Sequence, residues 1–163
     1  MDWQRPSEPV RELIRRGATI VVNAPPGSLR ELDDAILSSP RMRVIADDPV
    51  LAESFRRVNR ANVLAWAAAN VRDPGAPVPA NLAPELLAAS RDLVRRGLGE
   101  SAVRAYRIGQ NALWQRWMSI AFELTGDAQE LRELLEASAQ SLFSFIDVTN
   151  AAIAAQIRPS ARS

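Results

Sequence analysis

The stretch DAQELRELLEASAQSLFSFIDVTNAAIAAQI, which is residues 127–157, decides the fold class of this chain. Its large apolar residues recur at the spacing of an amphipathic helix. Asp127 and Glu130 match a capping box, so we expect the helix to begin there and to extend for roughly 30 residues. Gly126 is expected to end the preceding helix, because glycine is the residue that most often follows a helix C-terminus.

The remainder of the chain also favours helix, because alanine is abundant and alternating β-branched or aromatic residues are scarce. Asp48 followed by Pro49 predicts a second long helix that ends near Arg72, since aspartate caps helices and proline fits their first position. A third long helix is expected from about Glu100 to Leu124. Shorter helices are predicted after Ser7, after Ser28 in a capping box with Glu31, from Met42 to Ala46, and from Pro84 to Gly97.

These elements predict one all-α domain over residues 1–157, a single helical bundle of about six helices of which three are long. A globin-like arrangement is one option for such a chain. Thr19 to Val22 could instead form a short strand, although nothing else in the sequence would pair with it. Residues 73–82, with three prolines and a glycine, are expected to be an ordered loop, and residues 158–163 a disordered tail.

The composition excludes several classes of chemistry. All 20 basic residues are arginine, and the chain has no lysine, histidine or cysteine. Disulfides, metals bound by cysteine or histidine, haem held by histidine, and lysine Schiff bases are therefore excluded. We expect a protein that is not an enzyme and carries no metal or cofactor, because the usual acid, base and nucleophilic groups are mostly absent.

Charge and hydropathy also limit the partners and the compartment. The formal net charge is +1, which argues against direct contact with nucleic acid. No apolar run approaches the roughly 20 residues that a membrane span needs, and the first residues carry no signal-peptide core. We therefore expect a cytoplasmic protein with no membrane contact.

Polar residues recur on one face of two of the predicted long helices. Asn59, Asn62 and Trp66 follow an i, i+3, i+7 pattern on one helix, and a second set surrounds Arg107 on the other. Arginine binds carboxylate or phosphate through two N–H groups, and an indole offers a stacking face. The alternative is that these groups satisfy one another between helices, because buried polar groups need partners. The candidate ligand-binding residues are Arg107, Gln110, Asn111, Trp114, Asn62 and Trp66.

The last predicted helix outruns a small bundle, and helices of this kind often form dimer interfaces or connect to another domain. The candidate residues for a dimer interface or a signal relay are Phe145, Asp147, Asn150 and Ile153. The alternative is an ordinary bundle helix with a frayed end. A homodimer is the expected assembly, with a small molecule or another protein as effector.

Several separated motifs resemble a known family. Residues 92–97 read DLVRRG, residues 105–118 read AYRIGQNALWQRWM, and residues 142–147 read LFSFID. Together with the start DPVLA at residues 48–52, these motifs are similar in sequence and order to the N-terminal domain of PucR/CdaR-type transcriptional regulators, described as RsbRD N-terminal-like. The resemblance extends over about residues 10–157.

The resemblance implies a regulatory role. In that family the domain precedes a C-terminal helix-turn-helix module, which is absent from this chain, and the implied function is to sense a signal or dimerise and to relay that state through the last helix. A second interpretation is that the chain is a partner-switching module that binds another protein, as the co-antagonists of the RsbT kinase do. A third interpretation is that the chain is a helical bundle that binds a small anion. The RsbR proteins have a globin-like sensor domain, but the absence of histidine removes the usual haem ligand.

Overall fold

The computed structural model describes residues 3–157, with side chains throughout except at positions 102, 103, 105, 106 and 157. Within that range the chain is all-α, as predicted, and three of its helices are long. The helices are α1 (Glu8–Val22), α2 (Pro26–Leu37), a 3₁₀ turn (Pro40–Met42), α3 (Arg43–Ala46), α4 (Pro49–Arg72), α5 (Pro84–Arg95), α6 (Gly99–Leu124) and α7 (Ala128–Ile157). The predicted tail, residues 158–163, lies outside the described residues.

Two predicted helix starts differ in outcome. Asp48 caps α4, and its Oδ1 accepts hydrogen bonds from the second and third helical N–H groups at 2.9 and 3.3 Å. The predicted capping box of Ser28 and Glu31 is wrong, because α2 begins earlier, at Pro26, and no side chain caps it. Proline needs no partner for a backbone N–H, so it can start a helix ahead of the residue that would otherwise cap it.

The start of α7 follows the sequence prediction in part. Asp127 Oδ1 accepts from the backbone N–H of Glu130 at 2.9 Å, as a capping box requires. The carboxylate of Glu130 instead accepts from the Thr125 hydroxyl at 2.8 Å, and Thr125 also accepts the N–H of Asp127. Gly126 follows Thr125, the C-cap residue of α6, as predicted, but it does not adopt the left-handed conformation that is usual for a glycine at that position. The alternative of a strand at residues 19–22 is wrong, because these residues complete α1.

Two tryptophans form the centre of the core. The rings of Trp66 on α4 and Trp117 on α6 pack edge to face, with centroids 5.0 Å apart and planes at 88°. Trp66 Nε1 also donates to the hydroxyl of Ser141 on α7 at 3.0 Å, so one indole links α4, α6 and α7. A Cβ at Gly17 would lie 2.6 Å from the Trp117 ring, and glycine there allows α1 to approach α6.

The segment between α4 and α5 is an ordered loop held from both sides. Trp3 Nε1 donates to the carbonyl of Gly75 at 2.7 Å, and the Gly75 N–H donates to the amide oxygen of Asn70 at 3.0 Å. The loop continues to Asn81, which contacts both α4 and α7. In the part of the chain that the structure describes, no helix is long and apolar enough to cross a membrane.

Candidate functional site

A narrow crevice lies between α4, α6 and α7. Its volume is about 50 Å³, which is room for a few water molecules or a small organic group. The apolar side chains around it are Phe55, Val58, Val63, Leu113, Leu142, Phe145 and Ile146. The polar residues around it are Asn59, Asn62, Gln110, Thr149 and Asn150, and Gly109 completes the α6 wall. None of these residues is charged, so the crevice suits a neutral ligand.

Asn81 joins two walls of the crevice. Its Nδ2 donates to Asn62 Oδ1 on α4 at 2.8 Å, and its backbone N–H donates to the hydroxyl of Thr149 on α7 at 3.1 Å. Thr149 is buried and Asn81 is half-buried, so this second bond is partly shielded from solvent. Sequence patterns did not identify Asn81, because it comes from the loop and reaches the crevice only through the folding of the chain.

Asn150, on α7, is the one crevice residue whose side-chain oxygen is both buried and without a hydrogen-bond partner among residues 3–157. Leaving a buried acceptor unpaired costs about 1–3 kcal/mol. Most proteins avoid that cost, so such an atom beside a cavity needs an explanation. A ligand that donates a hydrogen bond to Asn150 Oδ1 would recover this free energy.

Asn59 connects the crevice to α2. Its Nδ2 donates to Oδ1 of Asp33 at 2.6 Å, and Asp33 is only 1% exposed. Burial raises the pKa of the Asp33 carboxyl above its ordinary value. The hydrogen bond from Asn59 and the charges of Arg60 and Arg56 oppose that rise in pKa, and the charge of Asp34 adds to it. The protonation state of the Asp33 carboxyl therefore affects Asn59, a residue of the crevice wall.

The residues predicted to bind a ligand do not share one site. Asn62 and Gln110 line the crevice, whereas Trp66 is buried in the core and bonded to α7. Arg107 lies on the protein surface instead, beside a separate open depression of about 220 Å³. The lining residues of that depression are Arg107, Gln110, Asn111, Trp114 and Phe143.

The two faces of α6 explain this division. Arg107 and Asn111 are exposed, and neither makes a side-chain hydrogen bond with the described residues. Trp114 is half-buried, and its ring packs against Phe143 of α7, with centroids 5.4 Å apart. Gln110 lies between the two faces and touches both concavities.

The residues predicted for an interface or a relay are also divided. Phe145 and Ile153 are buried within the chain, and Asn150 is half-buried. Asp147 alone of this set is exposed. Phe145 and Asn150 line the crevice, so two of the four residues predicted for an interface or relay meet two of those predicted to bind a ligand, Asn62 and Gln110.

Metal binding finds no support in the side-chain arrangement. No three acidic residues of the described range lie close enough together to hold a metal ion. The expectation that the protein carries no metal or cofactor remains a prediction.

Comparison with known proteins gives a family. Residues 26–158 match a family model described as the RsbT co-antagonist protein rsbRD N-terminal domain. The matched range includes α2 to α7 and therefore every wall of the crevice. No curated protein and no solved structure matches this chain.

Proposed function

Because the chain belongs to the RsbRD N-terminal domain family, a family of regulatory domains, we propose that it is a non-enzymatic sensory domain. A neutral small ligand binds in the crevice, and α7 carries the bound state to a C-terminal output module. The sequence resemblance supports a helix-turn-helix of the PucR type as that module. The observation that carries the proposal is the buried, unpartnered Oδ1 of Asn150 on α7.

The position of Asn150 links binding to helix movement. It lies on α7, whereas Asn62 and Gln110 line the same crevice from α4 and α6. A ligand that bonds to Asn150 while touching the other two amides would fix the distance between α7 and its neighbours. Ligand binding can shift a conformational equilibrium only through such differential contacts. Occupancy of the crevice and the position of α7 are therefore coupled.

The geometry of α7 suits a relay. The helix has 30 residues, which corresponds to about 45 Å at the usual rise per residue. The crevice residues on α7 begin at Leu142 and end at Asn150, close to the C-terminal end of the helix. A shift at the crevice thus reaches the helix end through a single rigid element.

The crevice also defines the ligand class. With about 50 Å³ of space and no charged side chain, it suits a small neutral molecule with an apolar body and one N–H or O–H donor. An anion would be excluded, because nothing in the crevice would offset the loss of its hydration.

A titration of neutral fragments, followed by methyl NMR, tests the proposal. Acetamide and isopropanol are the first probes, because each carries a donor on a small apolar body. We expect shifts confined to methyl groups around the crevice, notably Leu113, Leu142 and Ile146. The variant Asn150→Leu keeps the side-chain shape and removes the acceptor, so it should lose most of the response. Equal titrations of both proteins, or shifts spread over the whole chain, would contradict the proposal.

A partner-switching role is a second candidate, favoured by exposed apolar side chains on two long helices. Phe122 on α6 is 62% exposed, and Val148 on α7 is 42% exposed. Exposed aromatic residues often mark contacts with another protein. Substituting Phe122→Asp would weaken binding of a partner protein while leaving fragment binding in the crevice unchanged. Light scattering at micromolar concentration tests the homodimer, and a monomer would contradict it.

A further inference from the structure

A second concavity, distinct from the crevice, lies between α2 and α4 with one contribution from α5. Its volume is about 610 Å³, which is within the usual range for small-molecule sites. Four arginines line it, Arg30 from α2 and Arg56, Arg57 and Arg60 from α4. We call it the arginine groove.

Three carboxylates, Asp33, Glu53 and Glu85, also line the arginine groove, and Asp34 lies 3.4 Å from an Arg56 nitrogen, so the positive charge of the arginines is partly neutralised. Glu53 lies 3.9 Å from an Arg56 nitrogen and 3.6 Å from an Arg57 nitrogen, which is near the outer limit for an ion pair. Arg30 and Arg60 form no ion pair with any described residue. Two guanidinium groups of the groove are therefore available to an anion.

The N-terminus of α2 adds to this positive potential. Pro26 and Gly27, the first two residues of the helix, line the groove, and no side chain caps the helix. The first N–H groups of a helix lack partners within it and carry partial positive charge. A Cβ at Gly27 would have no atom within 4 Å, so the backbone there is open to an incoming group. Pro26 has no N–H and the Ser28 N–H donates to the Pro25 carbonyl at 2.9 Å, so among residues 26–28 the Gly27 N–H is the one left to bind phosphate.

Independent evidence for a ligand comes from the floor of the arginine groove. Asp33 is 1% exposed and its Oδ2 has no hydrogen-bond partner among the described residues. The Nε of Arg56, on the facing helix, is likewise buried and unpartnered in the described part of the chain. The buried Arg56 Nε is a donor that an anion could satisfy, because folded proteins pair such groups almost without exception. Asp33 Oδ2 is an acceptor, so it does not pair with a phosphate oxygen.

The remaining wall combines two apolar side chains with the carboxylate of Glu85 on α5. Ala61 and Leu64 of α4 line it one and two turns beyond Arg57. A ligand that fills the arginine groove therefore combines a multiply charged anionic end with an apolar body. Phosphate monoesters carry nearly two negative charges near neutral pH and accept paired N–H bonds from arginine.

From this arrangement we propose that the arginine groove binds a small phosphate ester. The phosphate lies against Arg30, Arg60 and the N-terminus of α2, and the esterified group packs on Ala61 and Leu64. This site shares no binding residue with the crevice, so it stands or fails independently of the sensory proposal. It also takes an anion, unlike the neutral ligand of the crevice.

Calorimetric titration with phenyl phosphate and inorganic phosphate tests the proposal. We expect phenyl phosphate to bind more tightly than inorganic phosphate, and both affinities to fall as salt is added. The double variant Arg30→Gln/Arg60→Gln should weaken both ligands at least about tenfold, as expected for lost charge-assisted bonds. The variant Leu64→Asn should weaken phenyl phosphate alone.

Matched controls separate a built site from general attraction of anions. Arg16→Gln/Arg116→Gln removes the same charge from exposed positions outside the groove, and Asn150→Leu alters only the crevice. Both controls should bind phenyl phosphate like the parent protein. Equal loss in the Arg16/Arg116 control, no loss in the groove variant, or binding of a phosphoserine peptide without binding of phenyl phosphate would overturn the proposal.

Discussion

The crevice and the arginine groove differ in almost every physical property, although both use α4. The crevice has neutral walls and packs into the core, whereas the groove is open and charged. The hydrogen bond between Asn59 and Asp33 lies between them. A substitution in the crevice therefore changes folding and binding together, whereas most groove substitutions change binding alone.

The largest expected difference concerns stability. Phe145 is 2% exposed and forms part of both the core and the crevice. Replacing a buried phenylalanine with alanine costs about 3–5 kcal/mol, because the cavity that remains collapses only in part. We therefore expect Phe145→Ala to lower the melting temperature by about 10 °C, measured by calorimetry. The control Phe122→Ala, at an exposed position, should change stability by less than about 0.5 kcal/mol.

A smaller effect separates two asparagines of the crevice. Asn150→Leu replaces an unpartnered buried oxygen with an apolar group of similar shape, so it should raise the free energy of unfolding by about 1 kcal/mol. Asn62→Leu should lower it by about 1 kcal/mol, because Asn81 Nδ2 loses its acceptor. Urea denaturation measures both changes. If both variants lose stability, Asn150 is satisfied in solution and is not available to a ligand.

The smallest effect depends on pH. Because burial raises the pKa of Asp33, the folded protein retains a proton that the unfolded chain has already released. Stability from this group therefore falls as the pH rises from about 4, the ordinary aspartate value, through the raised pKa. The pKa of this carboxyl also depends on four neighbouring groups, those of Asn59, Arg60, Arg56 and Asp34. The variant Asp33→Asn removes the carboxyl and leaves these neighbours unchanged.

Asp33→Asn preserves an oxygen that can accept from Asn59. We expect it to be more stable than the parent protein above the raised pKa, with no difference at lower pH. Chemical denaturation across pH 3 to about 8 measures that difference. A difference that stays constant over the range would show that the Asp33 carboxyl does not titrate in this way.

The sequence predicted the long helices well, because their signals are local. Asp48 and Pro49 are adjacent, and the pair sets the start of α4 without help from the rest of the chain. The start of α2 was predicted wrongly, because both Pro26 and Ser28 are residues that commonly begin a helix. The sequence around them does not show which of the two begins it. The spacing of apolar residues therefore predicts that a segment is a helix. The residue at which the helix begins depends on which of several neighbouring residues caps it.

The candidate site was harder to predict. Asn59 and Asn62 lie on one face of α4, and spacing showed this correctly. Spacing did not show how α6 is rotated against α4, which places Gly109 and Gln110 at the crevice and leaves Arg107 exposed. Asp33 on α2 and Asn81 in the loop bond to the crevice residues Asn59 and Asn62 from other elements, and such contacts leave no periodic signal in the sequence.

The most direct test of the sensory mechanism is the distance between α6 and α7 when the crevice is filled. Because the chain has no cysteine, the double variant Arg116→Cys/Ala154→Cys gives one pair of spin labels at exposed positions. A Cβ at Gly109, a residue of the crevice wall, makes ordinary contacts, 3.7 Å from Asn59 Oδ1 and 3.9 Å from Ile36 Cδ1, and Gly109→Val adds two further methyl groups at that wall.

Pulsed electron paramagnetic resonance then compares three proteins: the labelled parent, its Gly109→Val variant, and a control with Asn111→Val on the exposed face of α6. The proposed coupling predicts that Gly109→Val shifts the distance by about 1–2 Å, the usual size of a regulatory helix movement, and that Asn111→Val does not. An unchanged distance in the folded Gly109→Val protein would contradict the coupling between the crevice and α7.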